Sequence, residues 1–147
     1  MSKVVIIGGG HAGANTAFAL RKDGFDGDIN IFCAESHLPY HRPPLSKDFL
    51  KQKVEEDKLS FKSAEFYNDQ NISVHLNTRV NLIDLESNKV GSDDASFDFD
   101  YLVFATGATP RLLPMENADA ENLFYLRDIS DVLSLQKLTT SGKKIVL

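Results

Sequence analysis

Residues 4–13 of the chain read VVIIGGGHAG, four branched aliphatic residues followed by four of the nine glycines in the sequence. Inside a helix or a strand, glycine costs up to about 1 kcal/mol relative to alanine. A cluster of glycines directly after an apolar run therefore predicts a backbone turn that approaches another group closely, at a place where side chains would obstruct the approach.

The segments around this turn have the lengths of one β-α-β unit. Residues 3–7 are continuously apolar after Lys3, which is typical of a strand buried on both faces of a parallel sheet. Ala14, Ala17 and Phe18 follow at helical spacing, and residues 28–33 form a second strand candidate. Strand, helix and strand within about 30 residues predict a right-handed crossover. The expected fold class is α/β, with a Rossmann-like parallel sheet.

A proline-rich loop follows the second predicted strand. Its three prolines are expected to exclude regular structure from residues 34–47. Ser46 is predicted to cap a short helix that ends near residue 52, and Ser63 another that ends near residue 70. Residues 72–76 alternate in polarity and predict a strand.

Residues 79–106 are predicted to form a β-meander that crosses over to the parallel sheet. The last strand of the meander, residues 96–106, begins with one polar face and becomes wholly apolar from Leu102. We therefore expect this strand to enter a buried sheet midway along its length.

The remaining chain begins with a proline-punctuated stretch after Gly107. The pattern then predicts a short strand at residues 123–127 and a helix at residues 130–139. The final residues 143–147, KKIVL, are similar to KVVII at residues 3–7 and predict the opening of another buried strand.

Composition excludes several classes of function. The net charge of −5 argues against a nucleic-acid partner, because such binding requires clustered Lys and Arg. The N-terminus has neither the flanks of a signal peptide nor the length of a membrane span. The single cysteine, Cys33, excludes an internal disulfide and fits a reducing compartment. We expect a cytoplasmic protein with no nucleic-acid or membrane partner.

Gly8, Gly10 and Gly13 satisfy the pattern G-x-G-x-x-G between a predicted strand and a predicted helix. The first glycine allows the tight turn, the second a close approach of the backbone to a pyrophosphate, and the third close packing of helix on strand. Glu35 lies 22 residues after Gly13, where a carboxylate accepts hydrogen bonds from an adenosine ribose. A carboxylate repels a 2′-phosphate, so FAD or NAD fits better than NADP.

The same glycines could instead form a turn that serves only its own packing, and this alternative stays open. A phosphate-binding P-loop is excluded, although the spacing G-x-x-x-x-G exists from Gly8 to Gly13. Ala14 and Asn15 stand where that motif requires Lys and Ser or Thr to hold phosphate and magnesium.

Four motifs in this order resemble a known family. They are GGGHAG at residues 8–13, the acid at Glu35, PYHRPPLSK at residues 39–47 and YLVFATGATPR at residues 101–111, with YLR at residues 125–127 as a softer match. Together they resemble the ferredoxin-reductase-like FAD/NAD-dependent oxidoreductases of the pyridine nucleotide-disulphide oxidoreductase superfamily. That family includes putidaredoxin and rubredoxin reductases and the apoptosis-inducing-factor branch.

The resemblance implies an FAD site, residue by residue. Its members would be Gly8, Gly10, Ala12, Gly13, Glu35, Arg42, Lys47, Val80, Thr106, Gly107 and Arg127. In such proteins the backbone near Ala12 contacts the pyrophosphate, and that of Val80 meets the adenine. The lysine matching Lys47 lies near the isoalloxazine ring, where a cation stabilises the negative charge of the reduced flavin. Without the resemblance, Arg42 and Lys47 would be interpreted as ordinary surface charges.

Neither a catalytic side chain nor a metal site is expected in this chain. Cys33, His37 and His41 have a tempting spacing, but Pro39 breaks any helix that would align them as ligands. A second cysteine for dithiol chemistry is absent from the sequence.

Because members of the family are more than twice as long, the resemblance implies that the chain is the N-terminal segment of a reductase. We expect residues 1–115 to be the first segment of the FAD-binding domain, residues 116–141 a connecting strand and helix, and residues 142–147 the first strand of an NAD-binding domain. The parent protein would pass hydride from NADH to FAD and then electrons to a ferredoxin- or rubredoxin-type acceptor. The segment alone is expected to be inactive.

Two alternatives remain for the function of the chain. It could be a non-catalytic fragment that binds FAD or an adenine nucleotide, or an interaction protein similar to the apoptosis-inducing-factor branch. An open sheet edge and the apolar residues 144–147 would also favour self-association.

Overall fold

The computed structural model describes residues 1–93, 95–116, 120, 123–139, 144 and 146. They fall into two compact units. One comprises the described part of residues 1–40 and 60–107, and the other that of residues 41–59 and 108–147. The domain boundaries expected near residues 115 and 141 stay a prediction.

Strands and helices alternate in the first part of the chain. In chain order the strands are β1 (Lys3–Ile7), β2 (Asp28–Phe32), β3 (Ile72–His75), β4 (Leu82–Asp84), β5 (Lys89–Gly91), β6 (Ser96–Asp98) and β7 (Tyr101–Phe104). The α-helices are α1 (His11–Lys22), α2 (Ala64–Asp69) and α3 (Ile129–Leu138), and short 3₁₀ helices cover Pro43–Ser46 and Glu56–Leu59.

The first unit is built on a four-stranded parallel sheet in the order β3-β2-β1-β7. β1 is central, with Ile7 opposite Phe32 of β2 on one side and Phe104 of β7 on the other. β3 extends the sheet beyond β2, where His75 lies opposite Phe32. The predicted strand, helix and parallel strand are therefore confirmed, and so is the α/β fold class with a parallel sheet.

Two apolar clusters cover the two faces of this sheet. Successive side chains of a strand point to opposite faces, so the residues of β1 divide alternately between the clusters. The first cluster joins the sheet to α1 and α2 and contains Val4, Ile6, Ala17, Ile29, Ile31, Cys33, Tyr67 and Ile72. The second joins the sheet to the meander and contains Val5, Ile7, Phe32, Val90 and Phe99.

The predicted last strand of the meander is wrong in one respect, because it consists of two strands. β6 pairs antiparallel with β5 in a separate three-stranded sheet, whereas β7 pairs parallel with β1. The break falls at Phe99, which is only 7% exposed and belongs to the apolar cluster between the two sheets. Burial of this ring in the cluster turns the chain from one sheet into the other.

β7 is also less buried than the sequence predicts. It is one of the two outer strands of the parallel sheet among the described residues, and the side chain of Phe104 is 63% exposed. An edge strand has a neighbour on one side only, so its apolar residues are covered incompletely.

Two of the cap predictions had different outcomes. Ser63 caps α2 as predicted, and its Oγ accepts a hydrogen bond from the Phe66 amide at 3.2 Å. The helix expected after Ser46 is wrong, since residues 47–52 form turns instead. The regular element begins earlier, as a 3₁₀ helix at Pro43–Ser46, because tandem prolines fix φ at its first positions. The prediction that the prolines exclude regular structure from residues 34–47 is therefore wrong at Pro43–Ser46.

In the second unit, α3 confirms the predicted helix. Asp128 and Asp131 form a reciprocal capping box at its N-terminus, and Gln136 donates to the Phe49 carbonyl at 2.6 Å. The strand predicted at residues 123–127 is wrong, since this segment has no ladder partner among the described residues.

Two further predictions concern the last residues of the chain and membrane-spanning helices. The strand predicted at residues 143–147 falls largely outside the described residues. Within the described part, none of the helices combines the length and the hydropathy needed to span a bilayer.

Arg21 ties the end of α1 to the turn between α2 and β3. Its guanidinium donates to the carbonyl oxygens of Phe25 (2.7 Å), Gly27 (2.8 Å), Gln70 (2.6 Å) and Asn71 (2.6 Å). The planar guanidinium fork is suited to several acceptors at fixed angles. One side chain thus joins three segments of the first unit.

We expect Arg21→Lys to lower the free energy of unfolding by about 2 kcal/mol, because one ammonium group cannot serve all four carbonyls. Urea unfolding followed by circular dichroism would measure the loss. Lys22→Met, at the exposed neighbouring position, is the control and should change stability by less than about 0.5 kcal/mol. Equal stability of Arg21→Lys and the unmodified chain would contradict this role.

A second prediction concerns the hydroxyl of Tyr67, which lies in the core and has no hydrogen-bond partner among the described residues. A buried hydroxyl without a partner destabilises the folded state. Tyr67→Phe should therefore raise the free energy of unfolding by about 1 kcal/mol in the same urea assay. A loss of stability on removal of the hydroxyl would show that it has a bonding partner.

Candidate functional site

The carboxyl ends of the four parallel strands meet at one edge of the first unit. Ile7, Phe32, His75 and Phe104 close their strands in register. β2 lies on one side of β1 and β7 on the other, so the order of the strands reverses next to β1. In open α/β sheets, the crevice at such a switch point is where ligands bind.

Gly8 forms the tight turn at this switch point. Its φ of +118° lies in the region that L side chains rarely adopt, and its amide donates to the Phe32 carbonyl at 2.9 Å. A Cβ at this position would collide with the Ala105 carbonyl oxygen just beyond β7. The fold itself therefore requires glycine at position 8.

Gly13 has a similar structural reason. It is buried in the first turn of α1, and a Cβ there would collide with the Gly8 carbonyl oxygen and come within 3.2 Å of the Ile6 side chain. The absence of this atom lets α1 pack directly on the turn.

Gly10 differs from both, because the described chain gives no reason for a glycine there. Its φ of −86° is open to any residue, and apart from its two chain neighbours a Cβ would meet no atom of the described chain within 4 Å. The position faces open space at the N-terminus of α1, directly before His11. This open space beside Gly10 is a cradle, meaning a concave site at the backbone that a side chain at position 10 would fill.

The first turn of α1 supplies amide donors beside this cradle. Gly10 is the N-cap, and as a glycine it has no side chain with which to cap these amides. Ala12, the second residue of the helix, is exposed. Amides at a helix N-terminus, with the positive end of the helix dipole, attract anions. The residues present therefore fit a pyrophosphate group.

Glu35 lies three residues beyond the end of β2, at the same edge of the sheet. Its carbonyl accepts the Asn77 amide at 3.0 Å, and the Cys33 carbonyl accepts the Thr78 amide at 2.8 Å. The Glu35 carboxylate is half-buried and accepts a hydrogen bond from the Tyr40 hydroxyl at 2.6 Å. The structure thus holds both the backbone and the side chain of this acid.

Three other predicted positions also lie in the first unit. Val80 is half-buried and packs against the cluster that joins the two sheets. Thr106 and Gly107 are exposed and follow the carboxyl end of β7. The first unit therefore contains eight of the predicted site residues, namely Gly8, Gly10, Ala12, Gly13, Glu35, Val80, Thr106 and Gly107.

The three predicted cations lie in the second unit. The Arg42 guanidinium donates to the Arg127 carbonyl at 2.9 Å, so these two residues are brought together. The Arg127 amide donates in turn to the Asp131 carboxylate at 2.7 Å. Lys47 is exposed, just after the 3₁₀ helix at Pro43–Ser46.

Cys33 lies next to the glycine turn but is not an activated nucleophile. Burial, and to a smaller extent the Glu35 carboxylate, raises the pKa of the thiol to about 12. The thiolate is the reactive form, so the side chain is inert at neutral pH. Its sulfur instead packs where a Cβ on Gly9 would lie.

Tyr40 contacts the candidate site residue Glu35, and the sequence pattern does not reveal this contact. It stands in the motif PYHRPPLSK, so its place in the proline-rich loop was visible. Its contact with Glu35 was not, because nothing in a local pattern shows where the ring of a loop tyrosine lies.

The sequence pattern of the pyridine nucleotide-disulphide oxidoreductases matches residues 2–147. The chain belongs to this family. The resemblance inferred from the motifs is confirmed, and FAD, the expected cofactor, is the cofactor of the family.

Individual family members agree with this assignment. The chain is 40% identical over 146 residues to rubredoxin-NAD(+) reductase of Pseudomonas putida, covering 98% of this chain and 38% of that protein. It is 40% identical over 148 residues to the ferredoxin-NAD(+) reductase component of the p-cumate 2,3-dioxygenase system of the same species, covering 100% and 37%.

Solved structures of the family show the same fold. Putidaredoxin reductase, in its covalent complex with putidaredoxin, superposes with a TM-score of 0.87 at 35% identity, covering 93% of this chain and 34% of that one. A ferredoxin reductase from Rhodopseudomonas palustris gives a TM-score of 0.88 at 36% identity, with the same coverage. The chain spans little more than a third of the length of the curated relatives it matches.

His75, at the carboxyl end of β3, is expected to make the stability of the first unit depend on pH. Its ring stacks on Phe32 with centroids 4.5 Å apart and lies 5.2 Å from the ring of Phe97. Its Nε2 lies 2.8 Å from Oδ1 of Asn30 and donates to it, since a carbonyl oxygen only accepts. Burial among these groups lowers the pKa of the imidazole below its ordinary value of 6.5.

Because the unfolded chain binds the His75 proton more tightly than the folded chain, we expect stability to fall as the pH drops through 6.5. Urea unfolding between pH 7.5 and pH 5.5 would show this loss, and His75→Phe should flatten the dependence. Val74→Ala, in the same strand, should lower stability but keep the slope. An unchanged slope in His75→Phe would contradict the prediction.

Proposed function

We propose that this chain is the FAD-binding N-terminal part of an NADH-dependent flavoprotein reductase. The observation that carries the proposal is Gly10, which neither packing nor backbone conformation requires. A glycine at the N-cap of α1 lets a pyrophosphate approach the backbone and the first amides of the helix, where any side chain would obstruct it. This distinguishes the site from a glycine turn that serves only its own packing, which Gly8 and Gly13 alone would satisfy.

Glu35 would hold the adenosine end of the same cofactor. It lies three residues beyond the strand next to β1, in the region where an acid accepts hydrogen bonds from the ribose hydroxyls in dinucleotide-binding folds. A carboxylate there attracts a diol and repels a 2′-phosphate. We therefore propose an unphosphorylated adenosine ribose as the group bound at Glu35.

On the resemblance alone, we also propose that Arg42, Lys47 and Arg127 contact the cofactor. Bound FAD would accept two electrons together and could release them one at a time. A cation beside the flavin would favour the reduced, negatively charged form. The hydrogen bond from Arg42 to the Arg127 carbonyl would keep the first of these cations in place.

The parent protein would pass hydride from NADH to FAD, and then single electrons to a ferredoxin- or rubredoxin-type acceptor. Support comes from the relatives, a rubredoxin-NAD(+) reductase and a ferredoxin-NAD(+) reductase component. A related reductase has also been solved in a covalent complex with putidaredoxin.

FAD binding tests the proposal directly. We expect the chain to bind FAD and Gly10→Ala to weaken binding at least about tenfold, because the added methyl group occupies the path of the pyrophosphate. Isothermal titration calorimetry would give both dissociation constants. The melting temperature of Gly10→Ala should stay within a few degrees of the unmodified chain, since the methyl meets no described atom within 4 Å beyond its two chain neighbours.

Gly13→Ala is the matched control for the fold. Its methyl group would collide with the Gly8 carbonyl, so we expect it to lower stability by about 1–3 kcal/mol. Two results would overturn the proposal. One is a folded chain that binds neither FAD nor ADP, and the other is a Gly10→Ala variant that binds FAD as well as the unmodified chain.

A further inference from the structure

The hydroxyl of Tyr40 and the carboxylate of Glu35 form a contact that the proposed FAD site does not explain. The hydroxyl donates to Oε2 of Glu35 at 2.6 Å, in the range of charge-assisted O–H···O⁻ hydrogen bonds. Tyr40 is only 3% exposed, so the donor lies in the protein interior and its orientation is set there.

The backbone on either side of Tyr40 is fixed by pairing with a neighbouring segment. Tyr40 forms an isolated antiparallel bridge with Ser60, and the Phe61 amide donates to the Pro39 carbonyl at 2.9 Å. The Pro39 side chain is fully buried. The phenol is therefore presented from a rigid support rather than from a mobile loop.

The backbone of Glu35 is fixed as well, by pairing with the chain beyond β3. Two hydrogen bonds join the Cys33–Glu35 segment to Asn77 and Thr78. Backbone pairing alone does not order the torsion angles of a glutamate side chain, and ordering them costs on the order of 1 kcal/mol. The hydrogen bond from the Tyr40 hydroxyl acts on the carboxylate itself and so constrains those torsion angles.

We propose that Tyr40 is a positioning residue that sets the Glu35 carboxylate for the vicinal hydroxyls of an adenosine ribose. This rests on the proposed function. An ionised carboxylate has about four acceptor positions on its two oxygens, so the bond from Tyr40 is compatible with further hydrogen bonds from a diol. If the Glu35 side chain is already ordered in the free protein, the ligand binds more tightly, because binding no longer has to restrict the torsion angles of that side chain.

Tyr40→Phe tests this role with two nucleotides, ADP and 2′,3′-dideoxy-ADP. The variant should bind ADP about 3- to 10-fold more weakly than the unmodified chain, the effect of losing one hydrogen bond. Its affinity for dideoxy-ADP should be unchanged, because that ligand has no hydroxyls for Glu35 to accept. A general disturbance of the fold would weaken both ligands alike.

Tyr67→Phe is the matched control, since it removes the hydroxyl of another buried tyrosine that has no partner among the described residues. It should leave the affinity for ADP unchanged. In a Glu35→Ala background, Tyr40→Phe should have no additional effect on ADP binding. Should Tyr40→Phe fail to fold, Tyr40→Leu, which also lacks the hydroxyl donor, is the second variant and should show the same selective loss of ADP affinity.

The outcomes separate this inference from the proposed function. If the unmodified chain binds neither FAD nor ADP, both are overturned. If it binds ADP and Tyr40→Phe binds ADP equally well, or loses both nucleotides equally, only the role of Tyr40 is overturned.

Discussion

The close backbone contact among Gly8, Gly13 and Ala105 sets the geometry of the first unit. A Cβ at either glycine would collide with a carbonyl oxygen, that of Ala105 for Gly8 and that of Gly8 for Gly13. The contact brings together the end of β1, the first turn of α1 and the exit of β7. The pairing of β7 with β1 and the position of the helix N-terminus both depend on it.

The glycines of this turn differ in what the fold requires of them. Gly8 and Gly13 serve the fold, while Gly10 leaves space beside the first amides of α1. Glu35 is then placed relative to this turn through the sheet, because β2 pairs with β1 in register up to Phe32 opposite Ile7. The site is thus an outcome of backbone packing, to which the side chains of Glu35 and Tyr40 add the polar contacts.

Elements with a strong local signal could be predicted from the sequence. The apolar run before Gly8, the helix after it and the cap at Ser63 all depend on neighbours along the chain. The division of β6 from β7 could not be predicted, because it depends on burial of Phe99 between two sheets. The contact of Tyr40 with Glu35 and the lack of a ladder partner at residues 123–127 are likewise set by tertiary packing.

The hydrogen bonds that join the Cys33–Glu35 segment to Asn77 and Thr78 have a consequence for how this site can change. They tie together two connections that are far apart in the chain, so the count of residues in each is constrained by the other. Most substitutions in these connections would leave the main-chain pairing in place. An insertion or deletion in one of them would shift Glu35 relative to Asn77 and Thr78. The pairing therefore fixes the number of residues in each connection more tightly than the identity of most of them.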